Sequence, residues 1–377
     1  MNSRRGFTLI EVLISVAILA FVISGISAVL VKQGQASATQ SLERDLEESG
    51  RLALLEIGRN VRLAGYGIAP VAAFDFDRYA CTTPGVGATC PGGGRDRIDG
   101  PDEIVASYRD PSFYRNVTGM VGAGPYTVTI DRALTNPILA GRIVQLLCTG
   151  AEPSAYVALS ADAAALATTL TVRQLTAADG YYPTAAPSDA CFATGGLMLV
   201  ERVRYFVAND TDGVPALFKE RGRGGQERMY RGIEDLQITY DIGQPPAGSQ
   251  FAAGGATPAV APVVCNGGWT FGLCNAAGTP DEGAGQPDWR NDIYDSVNRY
   301  TGHPLNVRNV NLFVVARASR ASPDGTGDAV PQIGNRPARV RDTFRRSILT
   351  LTERADNLLG RAHFLPPVFA NSNVGGG

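Results

Sequence analysis

The chain has 377 residues, with 34 Lys and Arg against 36 Asp and Glu, a formal net charge of −2 and two histidines. A near-neutral balance without a basic block lacks the electrostatic footprint of a nucleic-acid-binding protein. Scarce histidine argues against hydrolytic chemistry, and the length alone does not decide between one elaborated domain and one that carries a small subdomain.

At the N-terminus, Arg5-Gly6-Phe7-Thr8-Leu9-Ile10-Glu11 leads into an apolar stretch that ends near Val31. Between Phe7 and Val31 the only ionisable side chain is Glu11. A helix of ~25 residues at ~1.5 Å per residue reaches ~37 Å, enough to cross a hydrocarbon core of ~30 Å. Arg4 and Arg5 precede this span and only Lys32 follows closely, so the positive-inside rule predicts a cytoplasmic N-terminus and an extracytoplasmic body. A secretory signal has a shorter apolar region and an Ala-x-Ala-like cleavage site, which is missing here. An uncleaved anchor explains length and orientation but not Glu11. A carboxylate inside a span is costly and marks a functional residue whose partner is to be sought.

No proline interrupts the chain from Lys32 to Gly65. Leu42, Leu46, Gly50, Ala53, Ile57, Val61 and Ala64 recur at close to the helical period, so one face is predicted to pack on the body. The simplest expectation is one helix from Phe7 to about Leu63, weakened at Gly34, Gly50 and Gly58. Gly65-Tyr66-Gly67 and Pro70 are expected to end it, with Tyr66 in the core.

Beyond the helix, β-branched or alternating runs predict strands at Glu103–Tyr108, Tyr126–Ile130, Ile143–Leu147, Leu170–Leu175, Leu197–Val207, Ile233–Ile242, Val307–Ala316 and Ser347–Thr352. One helix followed by many strands implies an α+β fold with an antiparallel sheet. Leu236, Ile238 and Tyr240 alternate with Asp235, Gln237 and Thr239, the pattern of a half-buried strand. Thr82–Gly100 and Gln244–Gly285 are rich in Gly and Pro and read as poor strand candidates. The tail 371–377 has no feature that would order it.

Six cysteines, Cys81, Cys90, Cys148, Cys191, Cys265 and Cys274, all lie beyond the apolar span. For an extracytoplasmic body they are disulfide candidates, and the sequence does not fix their pairing. Local closure of the Gly/Pro-rich loops favours Cys81 with Cys90 and Cys265 with Cys274, leaving Cys148 with Cys191. No zinc-type cysteine spacing occurs, so no metal site is expected. Asp210 with Asp212, and Asp324 with Asp328, lack a calcium-loop spacing and read as solvated turn carboxylates. Nucleotide, zinc-protease and hydrolase nucleophile motifs are absent, so no catalytic residues and no cofactor are expected.

The N-terminal segment resembles the processing site and assembly helix of type IV pilins and type II secretion pseudopilins. That resemblance implies cleavage between Gly6 and Phe7 by a prepilin peptidase and N-methylation of Phe7. It also implies that Glu11 is neutralised by the amino terminus of a neighbouring subunit. Asn60-Val61-Arg62-Leu63-Ala64-Gly65-Tyr66-Gly67 and Arg231-Gly232-Ile233-Glu234-Asp235-Leu236-Gln237 are similar to segments of PilW-type minor pilins. Val203–Val207 with Leu217–Glu220 matches a strand, turn and strand of that family, whereas Glu353–Leu358 departs from its usual ending. The organisation implied is a leader (1–6), a membrane and assembly helix (7–31), its amphipathic continuation (32–65), an extracytoplasmic β-rich body (66–370) and a tail (371–377). The function implied is a minor pilin that starts or tips a type IV pilus, resident in the bacterial inner membrane before assembly and in the extracellular pilus afterwards. Its partners would be major and minor pilins, prepilin peptidase and a PilY-type tip adhesin. A GspJ-like pseudopilin, and a membrane-anchored binding protein or hydrolase, are the alternative classes.

Overall fold

A single helix, α1 (Leu9–Leu63), runs without interruption for 55 residues, about 80 Å at ~1.5 Å per residue. The computed structural model describes residues 8–75, 100–148, 154–176, 190–222, 225–242, 307–322, 325–334 and 336–359, with Asp179, Tyr182 and the short segments 264–265 and 268–271. Every residue of α1 from Leu9 to Lys32 is exposed, whereas Leu42, Leu46, Gly50, Ala53, Ile57 and Val61 are buried. The expected stripe is therefore the packed face, broadened by Leu54, Gly58 and Asn60. Gly50 and Gly58 are sites of close approach rather than weak points. A Cβ on Gly50 would lie 2.5 Å from Leu349 Cδ1, and one on Gly58 would lie 2.9 Å from Glu353 Cγ. Their missing side chains let a strand come down onto the helix backbone, which offsets their poor helix propensity.

Two antiparallel sheets face that helix. In the first, β1 (Ile104–Arg109) and β8 (Pro215–Arg221) flank the C-terminal half of the long strand β7 (Gly196–Asn209), and β9 (Gln226–Arg231) pairs with β8 beyond it. The second has the order β11 (Val264–Cys265), β12 (Gly268–Phe271), β10 (Ile233–Ile242), β13 (Val307–Arg317), β14 (Arg346–Arg354). Leu236 pairs with Val314 and Ile238 with Leu312, while Leu312 and Val314 pair onward with Leu351 and Leu349. This register turns one apolar face toward α1, and the largest core cluster joins Leu46, Leu54 and Ile57 to Ile104, Tyr205, Leu217, Leu236, Leu312 and Val314. The result is an α+β fold, a long N-terminal helix followed by an antiparallel β body.

Between β1 and β7 the chain makes a unit of its own. Strands β2 (Arg115–Val121), β3 (Tyr126–Ile130), β6 (Thr169–Gln174), β5 (Ala155–Leu159) and β4 (Ile143–Leu147) pair in that order. β4 then pairs with β7 through Ile143↔Val200 to Leu147↔Gly196, and β2 closes the ring through Arg115↔Leu197. Six strands thus form a closed barrel with a separate core that includes Val128, Leu146, Val157, Leu170, Val172, Phe192 and Leu197. Closure removes the free edges of these strands. β7 belongs to both units: its N-terminal half lies between β2 and β4, its C-terminal half between β1 and β8.

Four readings of the sequence need correction. β11 and β12 fall inside Gln244–Gly285, which reads as poor in strand, and β12 pairs through Tyr240↔Phe271. Tyr66 is 43% exposed instead of lying in the core. Asp235, Gln237 and Thr239 do not face water; all three are buried. The segment between β13 and β14 lies over them, packing Val330 and Ile333 on Val315. Arg336 and Arg339 ion-pair with Asp235 at 2.6 and 2.9 Å. Burial pushes the Asp235 carboxyl up, against the pull of the two guanidinium groups. Finally, Asp210 and Asp212 are held by Arg228 and Arg231 on β9, so they are paired rather than merely solvated.

Candidate functional site

The first turn of α1 is built on Thr8. Its hydroxyl accepts the Glu11 N–H at 3.4 Å, and the Glu11 Oε2 accepts the Thr8 N–H at 3.0 Å and the Thr8 hydroxyl at 3.1 Å. This reciprocal capping box satisfies amide donors that a helix N-terminus otherwise leaves open. Its Thr-x-x-Glu spacing is legible in the sequence, yet reading Glu11 only as a lone intramembrane charge passes over it. The carboxylate is thereby fixed beside the start of the chain's helical part, and Oε1 accepts nothing among the described residues. Gly6 and Phe7 lie outside the described residues.

From Leu9 to Val31 the helix presents apolar side chains on all sides, Glu11 apart, and is buried against no other element among the described residues. It is long and apolar enough to anchor in a membrane, and an all-round apolar helix requires lipid or other helices as its solvent. Farther along, Leu52 and Leu55 remain exposed on the side away from the body.

The packed half of α1 is fastened by a polar clasp that sequence reading did not find. Lys219 on β8 is only 5% exposed and its ammonium meets Glu56 Oε1. The Tyr205 hydroxyl donates to the same Glu56 oxygen at 2.9 Å and accepts from Asn60 Nδ2 at 2.7 Å. Tyr108 donates to Asn60 Oδ1 at 2.9 Å, and the ammonium lies 5.6 Å from the centre of the Tyr205 ring. Burial alone would raise the Glu56 carboxyl, but hydrogen bonds from Lys219 and Tyr205 outweigh it and bring it below the usual carboxylate range. Burial, reinforced by the Glu56 charge, pushes the Tyr205 phenol up, so it stays a donor. In the sequence Glu56 and Asn60 are an ordinary i,i+4 polar pair, and only long-range pairing reveals their partners. The helix ends with Gly65 at φ 80°, and Asn357 on α2 (Asp356–Leu359) donates to the Arg62 and Ala64 carbonyls at 2.8 and 3.3 Å.

Of the cysteines, Cys148 is half-buried against the barrel core and is disulfide-bonded. Cys191 lies in the 3-10 turn Ala190–Thr194, and Cys265 ends β11. Cys81, Cys90 and Cys274 lie outside the described residues.

Residues 1–27 match the prokaryotic N-terminal methylation motif. Among solved structures, the chain is similar to the type IV-like pilin TTHA1219 from Thermus thermophilus, at 11% identity and a TM-score of 0.20, over 59% of this chain and 86% of that one. No curated protein matches the chain. The chain thus joins a prokaryotic N-terminal methylation motif to a capped apolar helix whose second half packs on an antiparallel body.

Proposed function

We propose that the chain is a minor pilin of the type IV pilus, of the PilW type, which joins the complex that starts or tips the filament. The observation that carries this reading is the split character of α1: a packed half fastened to the body and an apolar half with no partner among the described residues. Such a helix rests in the inner membrane and finds new partners only in a bundle of similar helices. Prepilin peptidase cuts between Gly6 and Phe7, Phe7 is N-methylated, and the leader 1–6 is lost. The amine freed at Phe7 then lies next to the capping box, and the unpartnered Glu11 Oε1 is the acceptor for the amine of a neighbouring pilin. Span 7–31 serves anchoring and assembly, 32–65 carries the body, and 66–370 faces away from the cytoplasm. A tip position suits a body enlarged by a barrel, because a tip subunit need not fit a repeating lattice, and a PilY-type adhesin is the partner proposed there.

Co-expression with a prepilin peptidase tests the processing step. The product is expected to begin at Phe7, methylated on its amine, while without the enzyme it begins at Met1. A Met1 product in both cases removes the proposal.

The proposed disulfides are Cys81–Cys90, Cys148–Cys191 and Cys265–Cys274. For the second, Leu147 pairs with Gly196, which brings the end of β4 beside the turn that holds Cys191. Peptide mapping without reduction should recover these three linked pairs, and a Cys148 link to any other cysteine rejects the set.

A further inference from the structure

At the seam between the barrel and the first sheet lies a cavity of about 510 Å³, within the ~300–1,000 Å³ range of small-molecule sites. Nothing in the assembly reading uses it. The β1–β2 connection supplies Asp110, the first residue of β2 is Arg115, the β3–β4 connection supplies Asn136 and Leu139, and Arg142 and Glu201 close it.

Both arginines are set in place by the fold. Arg142 ion-pairs with Glu201 and passes so close to Gly222 that a Cβ there would lie 2.9 Å from Arg142 Cδ. Arg115 lies over the Phe113 ring at 4.8 Å and donates to the Tyr114 carbonyl at 2.7 Å. Even so, the Nε–H of each is buried without a hydrogen-bond partner among the described residues. Those two N–H groups are closed to solvent, so what each arginine can offer a ligand in the cavity is the rest of its guanidinium edge. Acceptors are available too: Asp110 spends Oδ1 on the Ser112 amide and hydroxyl at 2.8 and 2.6 Å, and its Oδ2 has no partner among the described residues. The Asn136 amide also has none among them.

The charges cancel, two arginines against two carboxylates, so a bare anion or cation gains little from the cavity as a whole. Extended peptide is disfavoured as well. Strand addition needs an open sheet edge, and the edges of β2, β4 and β7 beside the cavity are consumed by barrel closure. What remains is a set of planar two-pronged side chains, guanidinium, carboxylate and amide, above an apolar floor of Ile138 and Leu199. Two-pronged groups of both polarities match vicinal hydroxyls, and the floor matches the C–H face of a ring. We infer that this cavity binds a neutral hexose unit, free or at the end of a glycan.

The test uses the full chain in lauryldimethylamine oxide micelles, which bring no sugar headgroup. Methyl glycosides of glucose, galactose and N-acetylglucosamine are titrated against it by saturation-transfer NMR, beside trisaccharides ending in the same units. Glucuronate and inorganic phosphate are the charged comparisons. At least one neutral probe is expected to saturate by ~10 mM, a weak affinity on the usual scale. Binding should weaken at least tenfold in Asn136→Ala, which removes an exposed side chain and leaves the fold intact, and in Arg142→Lys. A trisaccharide binding more tightly than its glycoside assigns a glycan end, and equal binding assigns a single residue; both support the site. Absence of saturation by any neutral probe, tighter binding of glucuronate or phosphate, or unchanged binding in both variants overturns it.

Discussion

Replacing Glu56 with alanine is expected to lower the stability of the folded body by about 3 kcal/mol, measured by urea unfolding of the full chain in micelles. The substitution leaves the Lys219 ammonium 5% exposed and without an anionic partner among the described residues, and it removes the acceptor of the Tyr205 hydroxyl. Stranding one member of a buried pair commonly costs ~3–5 kcal/mol, more than the pair itself contributes. Glu56 is partly exposed, which places the expectation at the lower end of that range. Lys219→Met combined with Glu56→Leu should therefore cost much less than the sum of the single changes, and the double-mutant cycle measures the coupling directly. Additive losses would mean that the clasp is surface decoration. The pH dependence has a definite sign: a carboxyl lowered in the folded state adds stability above its unfolded pKa. That contribution is lost as pH falls through the lower folded value.

The second large effect concerns Glu11→Ala. Loss of the carboxylate removes both the acceptor of the Thr8 amide and the proposed acceptor of a neighbour's amine. Folding of the body should be untouched, because α1 from Leu9 to Lys32 is exposed and packs on none of the described residues. Incorporation into filaments in a complemented deletion strain is expected to fall at least tenfold by quantitative immunoblot of sheared pili. Glu11→Gln separates the two roles, since a neutral amide still accepts the Thr8 hydrogen bond but cannot neutralise an ammonium. If Glu11→Gln assembles normally, the carboxylate serves the cap alone and the amine-pairing proposal fails.

Local pattern made much of the fold legible. The periodic stripe of α1 marked the packed face, and the limits of β3, β4 and β10 coincide with the runs read from sequence. What escaped depends on distant pairing. β5, Ala155–Leu159, is buried at every position, so it shows none of the alternation that betrays a one-sided strand. β9, Gln226–Arg231, is polar and largely exposed, a strand only because β8 supplies a ladder. Asp235, Gln237 and Thr239 read as a solvent face because the cover over them, with Arg336 and Arg339, comes about a hundred residues later. Barrel closure rests on Arg115 meeting Leu197, a contact that no local window contains. At the N-terminus the situation reverses. Residue types at adjacent positions specify the candidate site, and the structure adds the capping geometry at Thr8.

The sharing of β7 has a mechanical consequence. A pull on the barrel travels along that strand toward the anchor and meets the ladders of β1 and β8, which flank its other half over Arg109↔Val200 to Ile104↔Tyr205 and Val203↔Arg221 to Asn209↔Pro215. Inter-strand hydrogen bonds run across the strands, so tension along the strand loads these ladders in shear, many bonds at once, rather than unzipping them singly. The inserted unit is therefore coupled to the anchor as a stiff, force-bearing extension.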